Sequence, residues 1–200
     1  MSIVNYLAHL LLSGDELDIQ VGGLLGDFVK GPLVSAWPAD IEFGIRLHRQ
    51  IDSLTDRHPA FVDATRNLEP PWRRYRGILL DVYFDHLLAR RWQEFHPEPL
   101  PVFCRRFYRH LAQYRSELPP RVQHFCDRAP EVSWLESYAR ADKVPVMLDN
   151  VGRRLRRPVT LGQAWPLLDR DRLYMNRRFD ELMAELIEFA EQQRQQYLEG

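Results

Sequence analysis

Residues 77–92, GILLDVYFDHLLARRW, limit what this chain can fold into more than any other stretch. A helix here has Ile78, Leu79, Leu80, Val82, Tyr83, Phe84, Leu87 and Leu88 on nearly every side and no broad face for solvent. A helix that is apolar all round is a buried one, so other elements must pack about it. The same stretch carries Asp81, Asp85 and His86. Buried carboxylates one turn apart are costly, and without a partner they tend to take up protons. A divalent cation or a catalytic role would explain them. An Asp–Arg network with Arg46 or Arg49 would do so as well.

The rest of the chain supplies helices for the shell. Clear β alternation is scarce, and long segments of 3.6-residue period dominate, broken by Pro and Gly. The spacing predicts helices over 3–12, 16–30, 38–56, 59–67, 73–95, 101–117, 119–128, 130–140, 144–155, 160–169 and 170–198. Prolines 97, 99 and 101 mark a loop. With 200 residues, 45% of them apolar, and no repeat or long linker, the expectation is one all-α helical bundle spanning 1–200.

Other predicted helices repeat the misplaced polar groups. In 38–56, Leu47, Ile51 and Leu54 form a core stripe, and His48, Asp52 and Thr55 follow the same spacing about 100° round the helix. Asp56, before His58-Pro59, fits a role in ending the helix. In 16–30, Asp27 sits in the glycine-rich run GGLLGDFVKG. Glycines at 22, 23 and 26 cost helix propensity, which makes sense where another backbone or a ligand comes close. Lys30 lies one turn beyond Asp27. In the first helix, Asn5 and His9 stand four residues apart among apolar neighbours. Any one of these groups fits a local ion pair or a satisfied core residue. Four helices bringing Asp, His or Asn to apolar faces point to a site in the bundle core.

Composition narrows the function. The net charge of −1 gives no global pull towards nucleic acid. Basic residues are clustered, however: Arg73, Arg74 and Arg76; Arg105, Arg106 and Arg109; Arg153, Arg154, Arg156 and Arg157. Such clusters can attract an acidic partner or simply lie solvated. Cys104 and Cys126 make no disulfide framework and fit a reducing compartment. The N-terminal stretch has no basic leader, and its short apolar run is interrupted, so the expectation is a cytoplasmic protein without a signal peptide or membrane span.

His nitrogen with several carboxylate oxygens suits Mn²⁺, Fe²⁺, Mg²⁺ or Zn²⁺, and the lack of cysteine in these segments argues against a structural zinc cluster. The i,i+3 Glu–His motif of di-iron carboxylate bundles is missing. Carboxylate-rich sites with open positions hydrolyse phosphate esters, and Arg49 or Lys30 could neutralise the phosphate. The residues alone thus indicate a helical, metal-dependent hydrolase of a phosphoester.

NYLAHLLLSG, GGLLGDFVKG, GIRLHRQIDSLTDRHP and LLDVYFDHLLARRW stand in this order and at this spacing. The series resembles the bacterial acyl carrier protein phosphodiesterases, specifically over residues 1–95 and more loosely beyond, where RRLRRP and RRFDELMAELIEF are similar. That family is similar to the HD-domain metal-dependent phosphohydrolases. The resemblance therefore implies a rearranged HD-like core, because this chain has Asp85-His86 in place of an adjacent His-Asp pair. It implies hydrolysis of the 4′-phosphopantetheine arm from holo-acyl carrier protein, with Mn²⁺ as the favoured cation. By motif match it implies Asp27, His48, Asp85, His86 and His9 as metal ligands. Asp52 or Asp81 would orient them or activate water, and Arg49 and Lys30 would hold the phosphate. Acyl carrier protein is acidic, so Arg73, Arg74, Arg76, Arg90 and Arg91 are candidates for docking it. Two other readings stay open: an HD-type phosphohydrolase of a nucleotide or other small phosphoester, and a non-enzymatic carrier-protein-binding module.

Overall fold

A computed structural model describes residues 6–33, 36–66 and 68–200. Asn5, one of the polar residues singled out above, lies outside the described residues. Those described form helices joined by turns and short 3₁₀ segments, with no strand among them. The α-helices are α1 (Tyr6–Leu12), α2 (Leu17–Leu25), α3 (Ala39–Thr55), α4 (Pro59–Ala64), α5 (Arg76–Arg90), α6 (Leu100–Leu111), α7 (Pro120–Arg128), α8 (Val144–Gly152), α9 (Trp165–Leu168) and α10 (Arg172–Glu199).

Helix α5 is the centre of the fold. Every residue from Leu79 to Ala89 is buried, as a helix apolar on all sides requires. Helices α1, α8 and α10 and the 3₁₀ turn Glu136–Ala139 pack around it. The expected helix 73–95 divides into the 3₁₀ turn Trp72–Tyr75, α5 and the 3₁₀ turn Trp92–Glu94.

Helices α2 and α3 cross at glycine. A Cβ on Gly22 would lie 2.7 Å from Gly44 Cα and 2.9 Å from Ile45 N, and a Cβ on Gly44 would lie 2.8 Å from Gly22 Cα. Two bare backbones in contact let the helices approach more closely than side chains would permit. The expected helix 16–30 stops early, because α2 ends at Leu25 and residues 26–28 form a turn. The segment 130–140 is mostly turn, with one 3₁₀ stretch at Glu136–Ala139 and Ser133 at φ 48°.

The long α10 closes the bundle over α3, α4 and α1. Tyr197 stacks on Phe43 with ring centres 4.1 Å apart and donates its hydroxyl to Asp40 Oδ1 at 2.6 Å. Arg194 donates to the Leu12 carbonyl at the end of α1. His58 caps α4 by accepting from the Ala60 amide through Nδ1, while its Nε2 faces Glu185 of α10 at 3.1 Å. Among the described residues, no helix is long and apolar enough to cross a membrane.

Candidate metal centre

Two helices and the turn after a third bring four ionisable side chains together. His9 comes from α1, Asp27 from the turn after α2, and His48 and Asp52 from one side of α3, a helical turn apart. His9 Nε2 lies 3.1 Å from Asp52 Oδ1, and His48 Nε2 lies 3.4 Å from Asp52 Oδ2 and 3.8 Å from Asp27 Oδ1. The two imidazoles stack face to face with centres 3.7 Å apart. Both are almost wholly shielded from solvent, and the Asp27 side chain is only 4% exposed; Asp52, at 28%, is the most open of the four.

Local backbone explains the placement. His48 Nδ1–H donates to the Gly23 carbonyl at 2.7 Å. That bond fixes the ring orientation and turns Nε2 towards Asp27 and Asp52. The ring lies against Gly26, where a Cβ would come within 2.7 Å of His48 Cβ and nearer still to the ring carbons. Gly23 performs a similar service for α1, since a Cβ there would come within 3.2 Å of the His9 carbonyl oxygen. The glycines of GGLLGDFVKG therefore bring α2 close enough for the site to form.

The electrostatics show mutual dependence. Burial pushes the Asp27 carboxyl up to about 6; the Asp52 charge adds to this, while His48 and Lys30 oppose it. Burial, and then the charge of His48, press the His9 imidazole down to about 4, against the pull of Asp52. Burial also acts to lower His48, yet the adjacent carboxylate of Asp52, with Asp27 and the Gly23 carbonyl, carries it above its ordinary value. Burial acts to raise Asp52, but the neighbouring His48 ring and the hydrogen bond to His9 hold it well below the usual carboxylate range. Three buried atoms here, His9 Nδ1, His48 Nε2 and Asp27 Oδ2, have no hydrogen-bond partner among the described residues. Unsatisfied buried donors and acceptors are rare and call for an explanation. A divalent cation accepting lone pairs from His48 Nε2 and the carboxylates fits this donor set.

The other candidate residues fall elsewhere. Asp85 is wholly buried and uses both oxygens on α1, accepting from the Leu7 amide at 3.0 Å and the Ala8 amide at 2.9 Å. It thus serves amides in the first described turn of the helix that carries His9. Burial pushes its carboxyl up, against the pull of the two amides. His86 points away, because neighbours on a helix diverge by about 100°. Its Nδ1 lies 2.7 Å from the Tyr138 carbonyl and its ring meets Trp165 edge-on. Asp81 is buried beside a small apolar cavity lined by Ala8, Thr55, Phe61 and Phe84. Arg49 donates to the carbonyls of Gly31 at 2.9 Å and Val29 at 2.8 Å, which ties down the chain beyond Asp27. Lys30 is exposed, and its charge acts on Asp27. Arg73, Arg74 and Arg76 stand at the start of α5, and Arg90 and Arg91 at its far end. Fourteen residues of helix place the two groups about 20 Å apart. Arg91 is held by Glu94 and Asp180, each at 2.6 Å.

Aromatic residues at the site had no periodic signal to reveal them. Phe28 follows Asp27 and stacks on Tyr6 with centres 6.2 Å apart, and Tyr6 meets Phe125 of α7 edge-on at 5.7 Å.

The family model described as acyl carrier protein phosphodiesterase matches residues 4–186. A protein of Enterobacter sp. (strain 638) named acyl carrier protein phosphodiesterase is 37% identical over 167 residues, 83% of this chain and 86% of the relative. Proteins of the same name from Salmonella agona (strain SL483) and Salmonella newport (strain SL254) are 34% identical over the same shares of both chains. No solved structure matches. The chain belongs to the acyl carrier protein phosphodiesterase family.

Proposed function

We propose that this chain hydrolyses the phosphodiester joining 4′-phosphopantetheine to the serine of an acyl carrier protein, giving apo-carrier protein and 4′-phosphopantetheine. A divalent cation, Mn²⁺ foremost, would be held by His9, His48, Asp52 and Asp27. The observation that carries this reading is the buried His/Asp group with its three unpartnered atoms, in a member of a phosphodiesterase family. Kinship with the HD-type phosphohydrolases is part of the proposal, supported by an all-α core in which separate helices contribute the histidines and carboxylates.

A cation in that position supplies Lewis acidity towards a phosphoryl oxygen and makes water a stronger acid. The chain's own groups do the rest. The Gly23 carbonyl accepts the Nδ1–H of His48, so Nε2 is the nitrogen that the ring presents to a cation. Asp52 keeps both imidazoles in register through its two oxygens. Asp85 holds the start of α1 and with it the position of His9. Arg49 fixes residues 29–31 by its carbonyl bonds, so that Lys30 offers its ammonium to the anionic diester. Tyr6 and Phe28 shield the site from bulk water, which strengthens each of these interactions.

Phosphorus NMR of holo-acyl carrier protein mixed with the enzyme and Mn²⁺ tests the reading. Conversion of the phosphodiester resonance into a phosphomonoester resonance is expected. Persistence of the diester with Mn²⁺, Mg²⁺ and Fe²⁺ in turn would refute it.

A further inference from the structure

A cleft opens between α6 and α7, away from the candidate metal centre in sequence but linked to it by aromatic side chains. It has a volume of about 570 Å³ and is bounded by α6, α7 and the turns after α7, with Arg105, Tyr108 and Arg109 on one wall and Cys126, Pro130 and Ser133 on the other. Ring contacts lead from it to the site: Tyr108 to Phe125 at 6.3 Å, Phe125 to Tyr6 at 5.7 Å, Tyr6 to Phe28 at 6.2 Å, and Phe28 adjoins Asp27 in the chain.

The charges along this path are unbalanced. Arg105 and Arg109 are exposed, stand one turn apart on α6, and have no ion pair among the described residues. Like charges at that spacing repel, so the pair costs a little stability unless an anion lies against it. Arg106, between them in sequence, turns away and is paired with Glu98 at 3.3 Å. Arg121, also exposed and without an ion pair among the described residues, is one turn before Phe125 on α7. Its charge, with that of Arg154 beyond α8, acts on the Tyr6 hydroxyl at the site. The carboxylate in the cleft, Glu136, accepts from the Tyr108 hydroxyl at 3.1 Å. Ser133 holds a backbone conformation that side chains rarely adopt, φ 48°, at the cleft wall.

We propose that the α6–α7 cleft, with Arg105, Arg109 and Arg121, is the groove in which an acidic face of the carrier-protein substrate docks, its phosphodiester passing over Phe125 and Tyr6 to the His9–His48–Asp52 group. The inference rests on the reading that the scissile diester is borne by a protein. It assigns docking to a cleft that ring-to-ring contacts through Phe125 and Tyr6 connect with the site. The arginines at the two ends of α5 do not form one face.

Binding of apo-acyl carrier protein separates the two claims, because it lacks the arm and cannot be turned over. Arg105→Glu/Arg109→Glu and Arg121→Glu are surface changes, and circular dichroism checks that each variant is folded. Each is expected to weaken apo-carrier binding by about tenfold or more at low salt, and to flatten its salt dependence, because opposed charges steer and hold such complexes. With holo-carrier, KM rises while kcat at saturation stays within about twofold, since no group at the reacting centre changes. Arg73→Glu/Arg74→Glu is expected to bind as the parent does. Unchanged binding by both groove variants, or an equal loss in Arg73→Glu/Arg74→Glu, would overturn the groove assignment and leave the proposed hydrolysis standing. Failure of the parent enzyme to release 4′-phosphopantetheine would overturn the hydrolysis, while the binding series still decides the groove.

Discussion

Gly26→Ala is a one-methyl test of how the site is assembled. Gly26 follows α2 in a right-handed helical conformation, φ −52°, so alanine suits its backbone. Propensity alone would then favour the change by up to about 1 kcal/mol. The space forbids it, because the new Cβ would fall within 2.7 Å of His48 Cβ and overlap the ring carbons. The ring cannot slide away freely. It is stacked on His9 at 3.7 Å and bonded to the Gly23 carbonyl at 2.7 Å. Over-packing a core costs about 1–3 kcal/mol, and leaving the buried Gly23 carbonyl without its donor costs about 1–3 kcal/mol more. Against the propensity gain, a net loss of about 1–5 kcal/mol is expected. Urea unfolding measures it, and calorimetric titration with Mn²⁺ reads the displaced His48 as weakened binding. Gly77→Ala is the control, since nothing lies within 4 Å of its Cβ in α5, and a gain of about 0.5–1 kcal/mol is expected. A Gly26→Ala protein as stable as the parent and binding Mn²⁺ equally well would refute this packing of His48.

Asp85→Ala removes an acceptor from two buried amides, so a loss of about 2–5 kcal/mol in urea unfolding is expected, with weaker Mn²⁺ binding because α1 carries His9. Arg49→Ala should lower kcat several-fold while stability falls by only about 1 kcal/mol, since its role is to hold residues 29–31; lysine, a single point charge, should not restore the two carbonyl bonds. Burial pushes the thiols of Cys104 and Cys126 up, so the reactive thiolate is scarce in the folded protein until the pH rises well past the ordinary cysteine value. Alkylation by iodoacetamide followed by mass should accordingly be slow at pH 8 in native protein and fast in urea.

Local pattern made the helical shell legible, and distance set its limit. The apolar run of α5 announced a buried helix, and the 38–56 period matches Ala39–Thr55 closely. His48 and Asp52 stood out because their i,i+4 spacing keeps them on one side of a helix, and the structure brings them together with His9 and Asp27. The glycines of α2 raised the right question of what comes close, but not its answer, because Gly44 and His48 are remote in sequence. Asp85 looked like His48 in the sequence, a polar group on an apolar helix. Its partners, the Leu7 and Ala8 amides, lie more than seventy residues away and carry no side-chain signature. The pairing of Asp85 with His86 suffered from helix geometry, which sends adjacent residues to different neighbours. The early end of α2 and the turn at 130–135 were hidden by apolar residues that pack without being helical, such as Phe28, Val29 and Trp134.

The central claim is that the His9–His48–Asp52–Asp27 group serves removal of the phosphopantetheine arm from a carrier protein. Intact-mass measurement of holo-acyl carrier protein after incubation with Mn²⁺ and either the parent enzyme or His48→Ala tests it most directly. The carrier is expected to lose the mass of its arm with the parent enzyme, to keep it when the cation is chelated, and to keep it with a folded His48→Ala protein. A carrier that retains its arm with the parent enzyme and Mn²⁺, or loses it equally fast with His48→Ala, would contradict the account.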